Sequence, residues 1–379
     1  MIFNLGDVLY TINSYIGIFI IFSLLAIWLI FLYKSSQKRG VVRYLSFSVL
    51  IGLIGQLLSV FTGTSRLISF SLIGFAFFLI FVHYETLSKL KPDPYFFGIM
   101  VGFQILNLFL IIAQSIGLLD FEIVLQFIRF LTGLGATIAL FKALTIISKI
   151  NKMTDKSDVK IEFFGILFLF ISRIIYAIVG LAFIIGLYDV NSGFDWVIIT
   201  ISEELNVIHI LFMLIIIIIT FIGLFLLLAN FIINFNYIFR LPFPIQNIIL
   251  YNKAGITVYN REVFTPEFKY DENLVSGALT AISSIIRVTL GPNAQLEHIQ
   301  ADKFNFFLRS LPSLGGTLVI IAYGATKVFD FSIEHFINKM PLYLIEKINN
   351  QAISSNELQP EIDRLFLNSF PFIVFGESK

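Results

Sequence analysis

The chain has 379 residues, of which 57% are hydrophobic and only 13% charged, with a formal net charge of +1. Soluble domains carry about a quarter charged residues, so this balance points to a polytopic helical membrane protein and argues against a polyanion partner. Cysteine is absent, which excludes disulfides, thiol catalysis and cysteine metal sites.

The stretch from Met1 to Ser14 has no basic n-region, so no cleaved signal peptide is expected and the first apolar run should direct insertion. A spanning helix needs roughly 20 apolar residues. Runs of that kind are expected at Tyr15–Tyr33, Tyr44–Phe61, Leu67–Tyr84, Tyr95–Gln114, Glu122–Ile147, Phe163–Tyr188 and Asn206–Ile233. Each must be helical, because backbone polar groups in lipid have to bond internally. Lysine and arginine fall on alternate connections. Lys34, Lys38, Arg39 and Arg43 follow the first run, Lys89 and Lys91 the third, and Lys149, Lys152, Lys156 and Lys160 the fifth. The other side carries Arg66 alone. This asymmetry predicts an outer N-terminus and a cytoplasmic C-terminus in a multi-pass cell-membrane protein.

The seventh run is long. From Asp195 to Phe239 there is no proline, lysine or arginine, and a continuous helix there would measure roughly 65 Å. Helical extensions beyond the bilayer are expected at Asp195–Leu205 outside and near Asn234–Tyr237 inside. Two spans in this stretch would need a turn, and only Gly223 could help to make one.

A central charge in lipid costs about 2.5–3.5 kcal/mol or more, so intramembrane charges should face the bundle and pair. Arg129 lies ~10 Å inside the fifth run and Arg173 near the middle of the sixth. Glu203 and Glu204 enter the seventh from outside, with His209 deeper. Together these five residues form a candidate polar site. Arg129, Arg173 and Glu204 read either as an outward-facing ligand or ion pocket or as a structural ion pair. Lys142, near the inner end of the fifth run, is expected to snorkel to the interface. Gln56, Gln104, Asn107 and Gln126 read as interhelical polar contacts. No lysine lies in the seventh run, which excludes a retinal Schiff base of the microbial rhodopsin kind.

The period changes after Arg240, dividing the chain into a membrane domain, 1–240, and a soluble domain, 241–379. Ile245–Tyr251 and Ile256–Asn260 read as a hairpin around a turn at Asn252–Gly255. Asp271 and Glu272 suit a helix start. Val275, Ala278, Leu279, Ile282, Ile285, Ile286 and Leu290 then lie at helical spacing and mark one helix face. Gly291 and Pro292 stop that helix. Strands follow around Gln295–Gln300, Phe304–Arg309 and Thr317–Tyr323. A second helix carries Ile333, Phe336, Ile337, Met340, Leu344 and Ile348, with Pro341 expected to kink or restart it. A final helix is expected near Glu357–Leu367. The apolar tail from Leu365 to Phe375 reads as core packing or as a contact with lipid or the membrane domain.

This ββαβββα(α) order resembles the longin/roadblock superfamily. Two stretches carry the resemblance, Ile248–Tyr259 as its opening hairpin and Asp271–Ile282 as the start of its long first helix in archaeal members. The resemblance covers Pro244 to about Phe370 and none of the membrane half, and the same α/β plan is compatible with a PAS- or profilin-like domain. The fold class expected is therefore an α-helical seven-transmembrane bundle followed by a small α/β domain of longin/roadblock type. The resemblance implies a non-catalytic platform that binds or regulates a small GTPase and forms homodimers through a helix or sheet edge.

No phosphate-binding loop, metal-spaced histidine pair or nucleophile–base constellation is visible, so neither catalysis nor a cofactor or metal is expected. The soluble domain holds 11 basic and 13 acidic residues, which makes nucleic acid a poor partner. Arg240, Pro242 and Pro244 form a short stiffened joint, the expected point where a signal would cross between the domains. The expected function is a membrane sensor or anchor presenting its cytoplasmic domain to a small GTPase. The alternative is a transporter or channel that this domain regulates.

Overall fold

Seven helices follow one another from the N-terminus: α1 (Leu5–Ser35), α2 (Arg39–Leu58), α3 (Thr64–Ser88), α4 (Pro94–Ser115), α5 (Phe121–Thr154), α6 (Ser157–Val190) and α7 (Asp195–Ile233). The computed structural model describes residues 5–35, 39–59, 61, 63–154, 157–190, 195–233, 241–252, 256–263, 272–291, 296–302, 304–311, 316–349 and 355–370. For 5–14, 16, 34–35, 39–42, 153–154, 157–158, 182–183, 185–190, 195–213, 272–274, 276, 287, 290, 347, 349 and 355–358 the description stops at the backbone.

Among the described residues, five apolar stretches are long enough to cross a bilayer: Thr64–Ser88, Pro94–Ser115, Phe121–Lys152, Val159–Leu181 and Leu214–Ile233. The chain is thus a multi-pass membrane protein. The apolar stretches described in α1 and α2, Gly17–Tyr33 and Arg43–Leu58, are shorter. By this measure five of the seven expected runs qualify as spans.

Local chemistry sets several helix ends. Asp93 caps α4 by accepting a hydrogen bond from Tyr95 N at 3.1 Å, with Pro94 in the first turn. The other end of α4 closes on Gly117 at φ +75°, where Leu118 N–H reaches back to the Ala113 carbonyl at 2.9 Å. Asp120 caps α5 through Glu122 N at 2.9 Å.

Small residues let the helices approach. A side chain at Gly133 would meet the Ala177 backbone at 3.1 Å, which holds α5 against α6. Gly165 and Gly223 face each other between α6 and α7 in the same way. Gly223 therefore serves helix contact and not a turn, and α7 runs unbroken over 39 residues, about 58 Å. The expected outer extension, Asp195–Leu205, is helical; the inner one, Asn234–Tyr237, lies outside the described residues.

Spatial clustering separates two units, Met1–Glu85 with Pro92–Tyr237, and Thr86–Lys91 with Ile238–Lys379. The second unit is built on a five-stranded antiparallel sheet in the order β2-β1-β5-β4-β3. Its elements are β1 (Ile245–Tyr251), β2 (Thr257–Glu262), α8 (Glu272–Leu290), β3 (His298–Ala301), β4 (Phe304–Leu311), β5 (Gly316–Ala322), α9 (Val328–Lys339), α10 (Leu342–Asn349) and α11 (Ser355–Ser369). Pro341 separates α9 from α10, as its missing N–H requires. Asp302 takes φ +50° in the two-residue connection between β3 and β4, the left-handed geometry that such hairpins need.

Both sheet faces are covered, so β1 is buried along its whole length. On one face, Ile249, Tyr251, Leu308, Val319 and Ile321 pack with Leu279 of α8. The other face meets α9 and α11 through aromatic rings. Phe336 stacks on Phe366 at 4.2 Å, Phe366 on Tyr259 at 5.2 Å, and Phe307 meets Phe329 edge-on at 4.7 Å. Phe366 and Phe370 of the apolar tail are fully buried in this core, whereas Leu367 is exposed.

Only part of the apolar face of α8 meets the sheet. Leu279 is buried and Val275 packs against the same cluster, but Ala278, Ile282 and Ile285 are exposed. A helix lying flat on a sheet buries only a narrow stripe, and the apolar residues of α8 occupy more than one stripe.

Candidate functional site

Arg129 and Arg173 come from adjacent helices whose contact is set by Gly133 and Ala177. Each arginine stands one turn before its contact residue. Because α5 and α6 run antiparallel, their backbones lie on opposite sides of that contact along the bundle axis. Their side chains reach different rings of α3, Phe70 and Phe77, seven positions apart. Arg129 sits over the Phe70 ring at 5.0 Å, and Arg173 over Phe77 at 5.4 Å and Tyr176 at 5.8 Å. Cation–π contacts of this kind contribute about 0.5–2 kcal/mol each, more where water is excluded.

Hydrogen bonding at the cluster is incomplete among the described residues. Arg129 donates to Gln126 Oε1 at 3.5 Å, a long contact. The Nε atoms of both arginines and the Tyr176 hydroxyl are buried without a described partner. Thr132 Oγ1 ties α5 to the Phe70 carbonyl of α3 at 3.1 Å and closes the floor beside Gly74. Two guanidiniums on aromatic faces with spare donors suit a carboxylate or another oxyanion.

Of the other residues expected in this site, Glu203, Glu204 and His209 are on α7, but their side chains lie outside the described residues. The pairing of Arg129 and Arg173 with Glu204 is therefore not part of the described site, whereas the packing of the two arginines against rings of α3 is. Arg240 of the expected joint also lies outside the described residues. Pro242 is half-buried in a bend, and the Pro244 carbonyl accepts from Tyr323 N at 3.1 Å, extending the β1–β5 ladder by one bond.

A second polar cluster was not legible in the sequence. Glu85 of α3 is fully buried and pairs with Lys142 of α5 at 2.5 Å, and it also accepts from Asp93 N at 2.9 Å. Tyr84 donates to Glu162 of α6 at 3.2 Å. Lys142, expected to snorkel, instead lies 5.7 Å from the Phe96 ring and bonds across helices. The available signal was opposite charge at the inner ends of the third and fifth runs, a pairing that spacing along one helix does not reveal. Among the described residues, no group of three or more histidine, aspartate or glutamate side chains could hold a metal.

In the second unit the polar contacts lock helices to the sheet. Tyr259 donates to Asp363 of α11 at 2.6 Å, with Arg261 3.9 Å from the same carboxylate. Burial, then the hydrogen bond to Asp363, pushes the Tyr259 phenol well above its ordinary pKa. Arg309 of β4 bonds Asp330 of α9 at 2.5 Å. The arrangement is architectural. The outer face of α8 is open to solvent, with Ile285 64% and Val288 88% exposed, as are Leu342 and Tyr343 of α10.

Comparison with protein-family models, curated proteins and solved structures returns no match for this chain.

Proposed function

We propose that this protein is a seven-span membrane sensor or anchor whose C-terminal α/β domain is a docking platform for a small GTPase, with its C-terminus in the cytoplasm. The observation that carries the platform reading is the uncovered face of α8, with Ala278, Ala281, Ile282, Ile285 and Val288 exposed. Large exposed aliphatic residues grouped on one helix face mark an interaction surface more often than an idle one. The element order ββαβββα with added helices supports the longin/roadblock resemblance, and with it the GTPase as partner. Only seven residues separate Ile233 from Leu241 in the sequence.

The test uses the full-length protein in lipid nanodiscs and small GTPases loaded with GDP or a non-hydrolysable GTP analogue. Retention in one nucleotide state, lost in Ile285→Glu and Val288→Glu, is the expected result. No retention in either state refutes the reading.

A second reading, a transporter or channel regulated by the domain, is favoured by the two guanidiniums of Arg129 and Arg173, each with a buried Nε that has no described partner. It expects anion flux in proteoliposomes that disappears on Arg173→Ala.

A further inference from the structure

Helices α2 and α3 are zipped together by small and hydroxyl residues. Ser48 Oγ donates to the Ala76 carbonyl and Ser69 Oγ to the Gly55 carbonyl, each at 2.8 Å. Gly52 faces Ala76, and a side chain at Gly55 would meet Ile73 at 2.9 Å. Hydroxyl-to-carbonyl bonds of this kind fix the register of two apolar helices.

Beside this seam runs a groove of about 380 Å³, lined by Arg43, Tyr44, Phe47 and Ile51 of α2 and by Phe75 and Leu79 of α3. The volume falls in the range of small-ligand sites. Its composition is graded: the guanidinium and the phenol stand at one end, and the remaining walls are aromatic and aliphatic. Phe47 is 49% and Phe75 37% exposed, so these rings present their faces outward. From Arg43 to Ile51 the α2 wall extends ~12 Å at ~1.5 Å per residue, close to one leaflet of a ~30 Å hydrocarbon core. Among the described residues no carboxylate pairs with Arg43. Lys34, Lys38 and Arg39 precede it in the chain and add positive charge on the same connection.

We propose that this groove is a binding site for a phospholipid with an anionic headgroup. One acyl chain lies along Phe47, Ile51, Phe75 and Leu79, and the phosphate is held by Arg43. The guanidinium fork matches phosphate oxygens, and the Tyr44 ring suits the boundary between chain and headgroup. Charge complementarity selects the occupant: a neutral lipid fills the apolar walls equally well but leaves the guanidinium without an anion. The seam bonds hold both walls in place before a lipid arrives, which lowers the ordering cost of binding. The site is independent of what the C-terminal domain binds.

The test is native mass spectrometry of the full-length protein released from micelles, titrated with phosphatidylglycerol and phosphatidylcholine of matched chains. Phosphatidylglycerol is expected to bind about tenfold more tightly, the worth of one charge-assisted contact. Arg43→Gln should bring the two lipids to parity without loss of phosphatidylcholine binding. Leu79→Trp, which fills the groove, should weaken both. Lys149→Gln, which removes a charge elsewhere, should leave the preference intact. Equal binding of the two lipids by the unaltered protein overturns the proposal. So does a preference that survives Arg43→Gln, or one that Lys149→Gln abolishes equally.

Discussion

The two units solve the problem of packing in opposite ways. In the helical unit the contacts are made by what is missing: Gly133 against Ala177, Gly165 against Gly223 and Gly55 against Ile73 bring backbones together. In the C-terminal unit they are made by bulk, with Phe336, Phe366, Phe370 and Tyr259 stacked between sheet and helices. The difference follows from solvent. Lipid gives apolar side chains no reason to prefer protein, so helices associate through close approach and interhelical hydrogen bonds. Water does give that reason, so a small domain gathers its largest rings inside.

This contrast can be broken by substitution. The largest effect is expected from Phe336→Ala, which empties a fully buried position and should cost the C-terminal unit about 3–5 kcal/mol. Near-ultraviolet circular dichroism should lose only the part of its aromatic signal that the C-terminal rings contribute, while the helical signal of the bundle persists. Simultaneous loss of both would mean that the units do not fold separately. Lys142→Ala should come next. It leaves Glu85 buried without its cation, at about 3 kcal/mol, and a cycle with Glu85→Gln should recover much of the loss. Stability in detergent titrations reads both steps. Gly133→Ala pushes a methyl group into the Ala177 backbone and should cost the bundle about 1–3 kcal/mol by the same titration. If the substitution proves neutral, close approach is not what holds α5 to α6.

The smallest effect is expected from Tyr259→Phe, about 1 kcal/mol from the lost bond to Asp363. It also carries a pH signature. The folded phenol holds its proton more tightly than an unfolded tyrosine, whose pKa is about 10. The unfolded state therefore binds fewer protons above that pH, and stability falls as pH rises through it. Below about 10 the contribution is fully present. Chemical denaturation of the full-length protein between pH 8 and 11 should show a shallower decline for Tyr259→Phe than for the unaltered chain.

Much of the architecture was legible in local pattern. The break at Pro341, the stop at Gly291 and the strands β1, β4 and β5 fall close to where periodicity and punctuation put them. On α8, Leu279, Ile282 and Ile285 all fit one helical period, and period alone does not say how wide a stripe the sheet will cover. Lys142 was misjudged because its partner, Glu85, lies 57 positions away on another helix. Gly223 could be read as a turn former or a contact residue, and only the position of Gly165 decides between them.

By itself, the sequence determined the membrane character, the helical runs, the change of period after Arg240 and the element order that follows. All of these are properties of short segments in a given solvent. The tertiary structure decided which rings Arg129 and Arg173 rest on, the Glu85–Lys142 pair, the groove beside the α2–α3 seam and the open face of α8. Those depend on contacts between residues far apart in the chain, where helix rotation and approach distance set the partners and local periodicity carries no information about either.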